Sequence, residues 1–297
     1  MRYAYCSHQT DKVILCLWTP TLTANTPLHV VIPAYNSSLY IRETLDSLCT
    51  QTLSQNSFAV TVIDNASTDD TYEIANSYRS LLPIDVLRNP TNIGAIGNHN
   101  AAMLTCRGQF LKILSADDVL LPTALERQLD ALISHPSCVL CTTNYRIIDH
   151  QSREIGEGSY WPSVATRSQI INDYFPHLVN LVGCPSSTLL RYDRISHIRF
   201  RHGLPWVADL LFFLDVLECG DLVNTDSCEF LYRHHSSSDS ITGCNPWQRM
   251  RDEFEMHKLL GCDSFNSKAL VLRRLVINYL VFIKRRMMSR LRHFFKK

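Results

Sequence analysis

The feature that most constrains this chain is a regular alternation of short apolar runs and helix-like segments up to residue 142. The apolar runs are rich in β-branched residues, which predicts buried strands. Strands that alternate with helices at short intervals form parallel βαβ units. The sequence therefore predicts an α/β fold in which helices flank a mostly parallel sheet. The five predicted strands are Leu28–Ala34, Phe58–Asp64, Ile84–Leu87, Gln109–Leu114 and Cys138–Thr142.

Capping residues and apolar spacing predict the helices between these strands. One helix follows Ser38, a second opens at Thr68–Asp70, a third covers Gly94–Cys106, and a fourth runs from Pro122 to about Ser134. The pattern then loosens, and residues 150–180 are predicted to be loop with a short helix. Further strands are predicted at Gly183–Arg191 and Asp221–Arg233, and further helices at Pro205–Cys219, at Pro246–Leu260 and from about Ser267.

The charge of the chain is unevenly distributed. Residues 264–297 hold ten of the 29 basic residues and none of the 28 acidic ones, which leaves 19 basic against 28 acidic residues before them. Apolar and basic residues interleave in this tail, which is typical of an amphipathic helix on an anionic membrane surface. The alternative is a helix that packs on the body. We expect 270–283 to pack and 284–297 to face a membrane. No stretch of about 18 apolar residues predicts a membrane-spanning helix.

Polar residues cluster where the predicted strands end, and parallel sheets bind ligands beyond their carboxyl ends. Asp117 and Asp118 follow the fourth strand. Adjacent carboxylates repel unless a cation lies between them, and hard oxygen ligands suit Mg²⁺ or Mn²⁺. Asp64 follows the second strand, where a carboxylate can accept hydrogen bonds from a base or ribose. By themselves, both clusters are also compatible with solvated turns and helix caps.

Two further groups carry chemistry in the second half of the chain. Asp209 is a lone acidic residue inside the apolar run Trp206–Phe213, where it suits a general base. The segment Tyr232–His235 offers a histidine for a metal and an arginine for a phosphate. Taken alone, the Tyr232–His235 segment is better explained as a solvated surface. The alternative for Asp209 is a polar stripe with Asp215 and Glu218, but Asp215 is six residues further on and falls off that face.

The order of these pieces resembles the family 2 glycosyltransferases with the GT-A fold. The resemblance is dense over 28–145, through HVVIPAYN, VTVIDNASTDDT, NPTNIGAIGNHNAA and RGQFLKILSADDVLLP. It continues more thinly to about 240 through CPSST, the Asp209 helix and YRHH. It implies a glycosyltransferase domain at 28–240, with a nucleotide-sugar half (28–120) and an acceptor half (121–240). Residues 1–27 are then an N-terminal extension, and 241–297 are C-terminal helices with a basic tail.

The resemblance also implies roles for single residues. Asp209 matches the catalytic base of an inverting, non-processive transfer. The nucleotide-sugar-binding set is Pro33, Ala34, Tyr35, Asp64, Asn92, Gly94, Asn100 and Asp117; the metal set is Asp117, Asp118 and His235; the acceptor-side set is Cys184, Pro185, Ser186 and Trp206. The cofactor implied is Mn²⁺ or Mg²⁺.

Some positions depart from the family pattern. Ser115 stands where many members have an aspartate, Asn65 and Ala66 replace a common Asp-Gly, and Ala208 stands where an acidic residue often precedes the base. These departures leave the donor sugar open. The Q-x-x-R-W motif of processive members is absent, which argues against a polymer-extruding synthase.

The resemblance implies a nucleotide-sugar donor, with a UDP-sugar favoured, and a glycan or lipid-linked acceptor in surface polysaccharide synthesis. We expect a cytoplasmic enzyme that sits on the inner face of the plasma membrane through 284–297, and no nucleic-acid partner. Two alternatives remain, a nucleotidyltransferase-like protein and a non-catalytic nucleotide-sugar-binding protein of the same fold. The first would need a glycine-rich phosphate loop where PAYNSS stands.

Overall fold

The computed structural model describes residues 26–160, 163–177, 180, 182–235 and 246–260. Ten strands lie in this part of the chain: β1 (Leu28–Ala34), β2 (Phe58–Asp64), β3 (Ile84–Arg88), β4 (Phe110–Ile113), β5 (Val119–Leu120), β6 (Cys138–Ile148), β7 (Glu154–Gly158), β8 (Val164–Ala165), β9 (Leu189–Arg191) and β10 (Asp221–Arg233). The same part holds eight helices: α1 (Ile41–Cys49), α2 (Thr71–Ser77), α3 (Gly94–Leu104), α4 (Ala124–Ser134), α5 (Arg167–His177), α6 (Tyr192–Ile195), α7 (Ala208–Val216) and α8 (Pro246–Leu259).

All ten strands belong to one sheet, with the order β3-β2-β1-β4-β9-β6-β10-β5. Its three longest ladders, β6–β10, β1–β2 and β2–β3, are parallel. β9 runs antiparallel between β4 and β6 and joins the two parallel groups. β7 pairs with β6 and β8 pairs with β10 at the margin of the sheet. One sheet thus contains strands from both predicted halves, and the boundary predicted at 120/121 falls between β5 and α4.

The apolar runs of the strands are continuous because the sheet is covered on both faces. Successive side chains of a strand point to opposite faces. In β1, Val31 packs into one core cluster with α7, while Val30 and Ile32 pack into another with α1 and α4. The helices between the strands are therefore divided between the two faces, as right-handed crossovers require.

The structure confirms most predicted elements. β1, β2 and β10 have the predicted bounds, β3 is one residue longer than predicted, and β4 is one residue shorter at each end. The strand predicted at Gly183–Arg191 is wrong except for its last three residues. Pro185 has no N–H group for a ladder, and the Ser187 hydroxyl accepts from the Cys184 N–H at 3.1 Å, so residues 185–187 form a 3-10 turn instead.

Two regions differ from the predicted pattern: β8 and the second half of β6 pair with the distant strand β10, and β7 pairs with β6 in a local hairpin. Residues 150–177 contain β7 and β8 as well as α5, where loop and a short helix were predicted. β6 extends to Ile148 because its second half pairs with β7 and β10. The segments 1–25 and 261–297, including the predicted tail, lie outside the described residues.

Candidate active site

The first wall of the candidate site is the carboxyl edge of β1 and β2. Tyr35 directly follows β1, and its side chain is 47% exposed. Asp64 ends β2 and is fully buried; its carboxylate accepts from the Ser67 N–H and pairs with the Arg88 guanidinium at 3.0 Å. A buried carboxylate with charge-assisted partners is held in one orientation. Asp64 is thus a fixed acceptor beside an exposed aromatic ring.

An asparagine network holds the loops next to this wall. The Asn65 side chain donates to Asn92 Oδ1 at 2.9 Å and accepts from the Asn89 side chain at 2.9 Å. Asn89 also donates to Asn98 Oδ1, and Asn98 donates to the carbonyl groups of Ala34 and Ile63. The network therefore joins the ends of β1, β2 and β3 to α3.

The predicted residues Asn92 and Gly94 lie at the start of α3. Asn92 Oδ1 accepts from the Gly94 N–H at 2.8 Å, and Gly94 has the left-handed φ of +77° that favours glycine. A helix N-terminus carries positive partial charge, so it suits an anionic ligand. Ala66, in the loop after β2, adopts a left-handed φ of 59°. Residues other than glycine rarely adopt this conformation. Ala66 stands where many family members have the glycine of Asp-Gly.

Asn100 lies deeper in α3 and away from this edge. It is buried, its amide donates to the Phe200 carbonyl at 3.0 Å, and its Oδ1 accepts from the Phe200 N–H at 2.9 Å. Both ends of the side chain are thus hydrogen-bonded to the backbone of one residue, Phe200. Asn100 therefore connects α3 to the segment before α7. The predicted residues Pro33 and Ala34 are both within β1, where Ala34 is buried and its carbonyl accepts from the Asn65 N–H.

The second wall contains the predicted metal residues. Asp117 is partly exposed, and its Oδ2 lies 3.0 Å from His235 Nε2. Asp118 is buried, and its Oδ1 accepts from the Arg233 N–H at 2.9 Å. Burial, with the Asp117 carboxylate adding to it, raises the pKa of Asp118 above its ordinary value. Asp117 and His235 therefore face the open side of the site, and Asp118 faces the interior.

Arg233, which the sequence offered as a phosphate ligand, is a buried structural residue. Its guanidinium donates to the Asp117 carbonyl at 2.7 Å and to Ser152 Oγ at 2.9 Å, and it pairs with Glu43. Its plane also lies over the Tyr40 ring, 4.8 Å from the centroid. These contacts join β10, α1 and the β6–β7 connection behind the Asp pair, so the guanidinium is committed within the protein.

The third wall is formed by the 185–187 turn and α7. Asp209 lies in the first turn of α7 and is partly exposed. Burial raises the pKa of the Cys184 thiol to about 12, and the nearby carboxylates of Asp118 and Asp209 add to this shift. Asp118 and Asp209 therefore both lie within electrostatic range of Cys184. Pro185 and Ser186, which follow Cys184, are buried.

Trp206 precedes α7 and is held by α8. Its N–H donates to Asp252 Oδ2 at 3.0 Å, and its indole donates to Glu253 Oε1 at 3.2 Å. The Arg249 guanidinium stacks over the ring at 4.0 Å. Helix α8 therefore fixes the start of the helix that carries Asp209.

The donor set of the second wall fits a divalent cation bound together with a diphosphate. Among the residues that the structure describes, no three His, Cys, Asp or Glu side chains are grouped to bind one metal ion. Asp117 and His235 nevertheless present a carboxylate and an imidazole 3.0 Å apart. Mg²⁺ commonly uses one or two protein ligands and takes the rest from substrate phosphates and water. Asp117 and His235 would therefore offer one carboxylate oxygen and one imidazole nitrogen to such a cation.

Known proteins share part of this sequence. Poly(ribitol-phosphate) beta-N-acetylglucosaminyltransferase TarS of Staphylococcus aureus is 36% identical over 112 residues, which are 37% of this chain and 20% of that protein. Chondroitin synthase of Escherichia coli is 34% identical over 133 residues, which are 45% of this chain and 19% of that protein. The chain thus spans about a fifth of the length of these curated relatives.

Solved structures show the same fold. The crystal structure of S. aureus TarS 1-349 in complex with UDP-GlcNAc matches with a TM-score of 0.65 and 20% identity, over 83% of this chain and 70% of that chain. The sheet and this likeness define the fold as GT-A. The profile of glycosyl transferase family 2 matches residues 29–194, more than half of the sequence. The chain therefore belongs to glycosyl transferase family 2.

Several residues that build the site escaped sequence reasoning. Asn89 and Asn98 connect its loops, Lys112 and Gln128 lie beneath it, and Asp252 fixes the Trp206 turn. The available signal was a polar residue at a position whose neighbours predict burial, such as Lys112 within the strand FLKIL. Within the described part of the chain, no helix combines the length and apolar character needed to span a membrane.

Proposed function

We propose that this chain is an inverting, non-processive glycosyltransferase that moves a sugar from a nucleotide-diphospho-sugar to an acceptor hydroxyl. The observation that carries the proposal is the set of side chains at one edge of the sheet. Tyr35 follows β1, Asp64 ends β2 and Asp117 follows β4, at the carboxyl ends of neighbouring parallel strands, and Asp117 contacts His235. This edge is where α/β sheets bind ligands. Asp209 lies in the first turn of α7 and, like Asp118, acts electrostatically on Cys184.

The donor half of the proposal rests on the first wall and α3. The exposed Tyr35 ring suits stacking on a nucleobase, and the fixed Asp64 carboxylate suits N–H or hydroxyl groups of the base or ribose. The N-terminus of α3 at Gly94 favours the diphosphate charge. A UDP-sugar is the favoured donor, because the neighbouring TarS structure is described in complex with UDP-GlcNAc.

A divalent cation completes the diphosphate site. Mn²⁺ or Mg²⁺ would be held by Asp117 and His235, and it would stabilise the negative charge of the departing diphosphate. Asp118 then acts from beneath: its carboxylate accepts from the Arg233 N–H and fixes β10 next to the Asp117 turn. The sequence proposed Asp118 as a third ligand; its burial favours this supporting role.

The transfer itself is a single displacement. The acceptor oxygen forms a bond to the anomeric carbon, the bond from that carbon to the diphosphate oxygen breaks, and the configuration inverts. Asp209 takes the proton of the acceptor hydroxyl. Its place in the first turn of α7 favours the ionised carboxylate that a base requires. Holding the two reactants and the base together supplies a large part of the rate.

The test is a sugar-transfer assay on Asp209→Asn. We expect a fall in kcat of at least about 100-fold, because general-base catalysis contributes roughly 10² to 10⁴. The matched control is Asp215→Asn, six residues further along the same helix, where the carboxylate pairs with Arg201 away from the proposed reaction. Near-native turnover by Asp209→Asn, or equal losses in both variants, would contradict the assignment of the base.

A metal arm accompanies this assay. EDTA should abolish transfer, and Mn²⁺ or Mg²⁺ should restore it; full activity in metal-free buffer would contradict the proposed role of Asp117 and His235.

The donor is identified by a thermal-shift screen of UDP-, GDP-, dTDP- and CMP-sugars with Mn²⁺. Stabilisation by one nucleotide class identifies it, since a ligand that binds the folded state raises the melting temperature.

The acceptor is proposed to be a glycan or lipid-linked glycan in surface polysaccharide synthesis. This follows the names of the two relatives, a poly(ribitol-phosphate) beta-N-acetylglucosaminyltransferase and a chondroitin synthase. The Cys184 and Trp206 region would bind it, since this region lies beside Asp209.

Membrane attachment through 284–297 rests on the sequence alone, and co-sedimentation of the protein with anionic liposomes, with and without these residues, tests it.

A further inference from the structure

A lysine is buried beneath the proposed active site without a role in the reaction. Lys112 lies in β4 with none of its surface exposed, three residues before Ser115. Burial lowers the pKa of its ammonium group to about 7. Isolated buried charges are costly, and well-packed apolar residues of similar volume are often as stable or more stable. Stability alone therefore does not explain a lysine at this position.

The Lys112 ammonium and the Gln128 side chain both donate hydrogen bonds to the 185–187 turn. Its Nζ donates to the Ser186 carbonyl at 2.6 Å and to Gln128 Oε1 at 2.8 Å. The Gln128 Nε2 donates to the next carbonyl of the turn, at Ser187, at 2.7 Å. Gln128 lies on α4 and is itself fully buried. One side chain from β4 and one from α4 thus hold two consecutive carbonyl groups of the turn.

The 185–187 turn is itself in contact with the segment that carries Asp117 and Asp118. Ser186 Oγ accepts from the Ser115 N–H at 3.0 Å, and the Ser186 side chain interacts with the Asp118 carboxyl group and lowers its pKa against the larger effect of burial. Ser186 is fully buried, so its polar groups are directed to these partners rather than to an acceptor substrate. Ser115 is the position where many family members have an aspartate, and here its backbone N–H is hydrogen-bonded to Ser186.

We propose that Lys112, Gln128 and Ser186 form a brace that positions the Asp117–Asp118 segment for binding of the cation and diphosphate. The inference rests on the proposed function and assigns Lys112 and Gln128 as positioning residues of that site. Ser186, predicted from the sequence to face the acceptor, acts in the brace through its carbonyl and hydroxyl groups. Residues that orient metal ligands typically change metal affinity by roughly 10- to 100-fold when they are replaced.

The first test is hydrogen–deuterium exchange of the full chain without metal or nucleotide. Lys112→Met keeps an unbranched side chain one heavy atom shorter and removes the ammonium. We expect faster exchange, by about tenfold or more, in peptides that contain Ser115 and Asp118, because their amide hydrogen bonds depend on the turn. Lys258→Met, at an exposed lysine of α8, is the matched control and should leave these peptides unchanged.

The second test measures binding of Mn²⁺ with UDP by calorimetry, and the Mn²⁺ concentration that gives half-maximal transfer. Lys112→Met should weaken the first and raise the second by about tenfold, with a smaller effect on kcat at saturating metal. Ser186→Ala removes only the hydroxyl group and should shift both quantities in the same direction. It decides the question if Lys112→Met does not fold.

The outcomes separate the brace from the proposed function. Unchanged exchange and an unchanged Mn²⁺ midpoint in folded Lys112→Met or Ser186→Ala would overturn the brace. A lower melting temperature with an unchanged midpoint would also overturn it, since that result indicates a merely structural role. If the wild-type protein transfers no sugar, the proposed function fails, and the exchange experiment still decides whether the brace orders the Asp117–Asp118 segment.

Discussion

His29 should make the fold sensitive to acid at the end of the sheet opposite the proposed active site. It is buried in β1 at the amino end, where its Nδ1 accepts from the Arg107 N–H at 3.1 Å and its Nε2 lies 2.9 Å from Thr61 Oγ1. Since an amide N–H only donates, Nδ1 must be unprotonated, and Nε2–H donates to the threonine. A second proton on Nδ1 would break the first bond.

The magnitude follows from the pKa. Burial, with the Arg107 charge adding to it, lowers the pKa of His29 from 6.5 to about 4. The unfolded chain therefore binds a proton that the folded protein excludes, so the free energy of unfolding falls as the pH drops from about 6.5 towards 4. The loss from this residue is about 2 kcal/mol at pH 5 and about 3 kcal/mol at pH 4.

The assay is urea unfolding at pH 7 and pH 5, followed by tryptophan fluorescence. His29→Asn keeps an acceptor for the Arg107 N–H and does not titrate, so its stability should fall about 2 kcal/mol less than that of the wild type over this interval. His197→Asn, at an exposed histidine, is the matched control and should behave as wild type. Equal losses in wild type and His29→Asn would refute the reasoning.

Two further predictions concern packing and donor binding. Gly108→Ala should lower the free energy of unfolding by about 1–3 kcal/mol in the same assay, because the new methyl group would lie 2.8 Å from the Pro27 carbonyl oxygen; Gly97→Ala, whose methyl meets only the Ile93 side chain, is the control. Tyr35→Ala should raise the KM for the donor about tenfold with little change in kcat, because a stacked base contributes about 1–3 kcal/mol; initial rates at varied donor concentration measure this.

The sequence predicted the parallel half of the sheet well because its signals are local. The runs that became β1 and β2 are continuous and β-branched, and the segments between them have helical spacing, so both element types and bounds could be read directly. The residues at the strand ends followed from topology, since parallel strands bring their carboxyl ends to one edge. The family 2 match then agreed with the motif order.

The antiparallel part was less predictable because its partners are far apart in the sequence. β9 has three residues and lies between β4 and β6, about 80 and 50 positions earlier in the chain. The hydrophobic periodicity of the sequence is a local signal and does not predict a pairing between such distant segments. The contact between Trp206 and α8 was not predicted for the same reason, since Asp252 accepts from the Trp206 N–H across 46 positions of the sequence.

The buried polar side chains mark the limit of motif reasoning at this site. A motif identifies residues that face the ligand, such as Asp117 and His235, since their chemistry is needed there. It does not assign a role to residues that fix the motif from behind: Lys112 looks like a polar interruption of an apolar run, and Asn89 and Asn98 stand in NPTNIGAIGNHNAA without a predicted role. The role of each follows only from its hydrogen-bond partners in the fold, because buried polar side chains that are hydrogen-bonded to one another favour one arrangement of the loops. The precision of this site therefore depends on residues that lie beneath it.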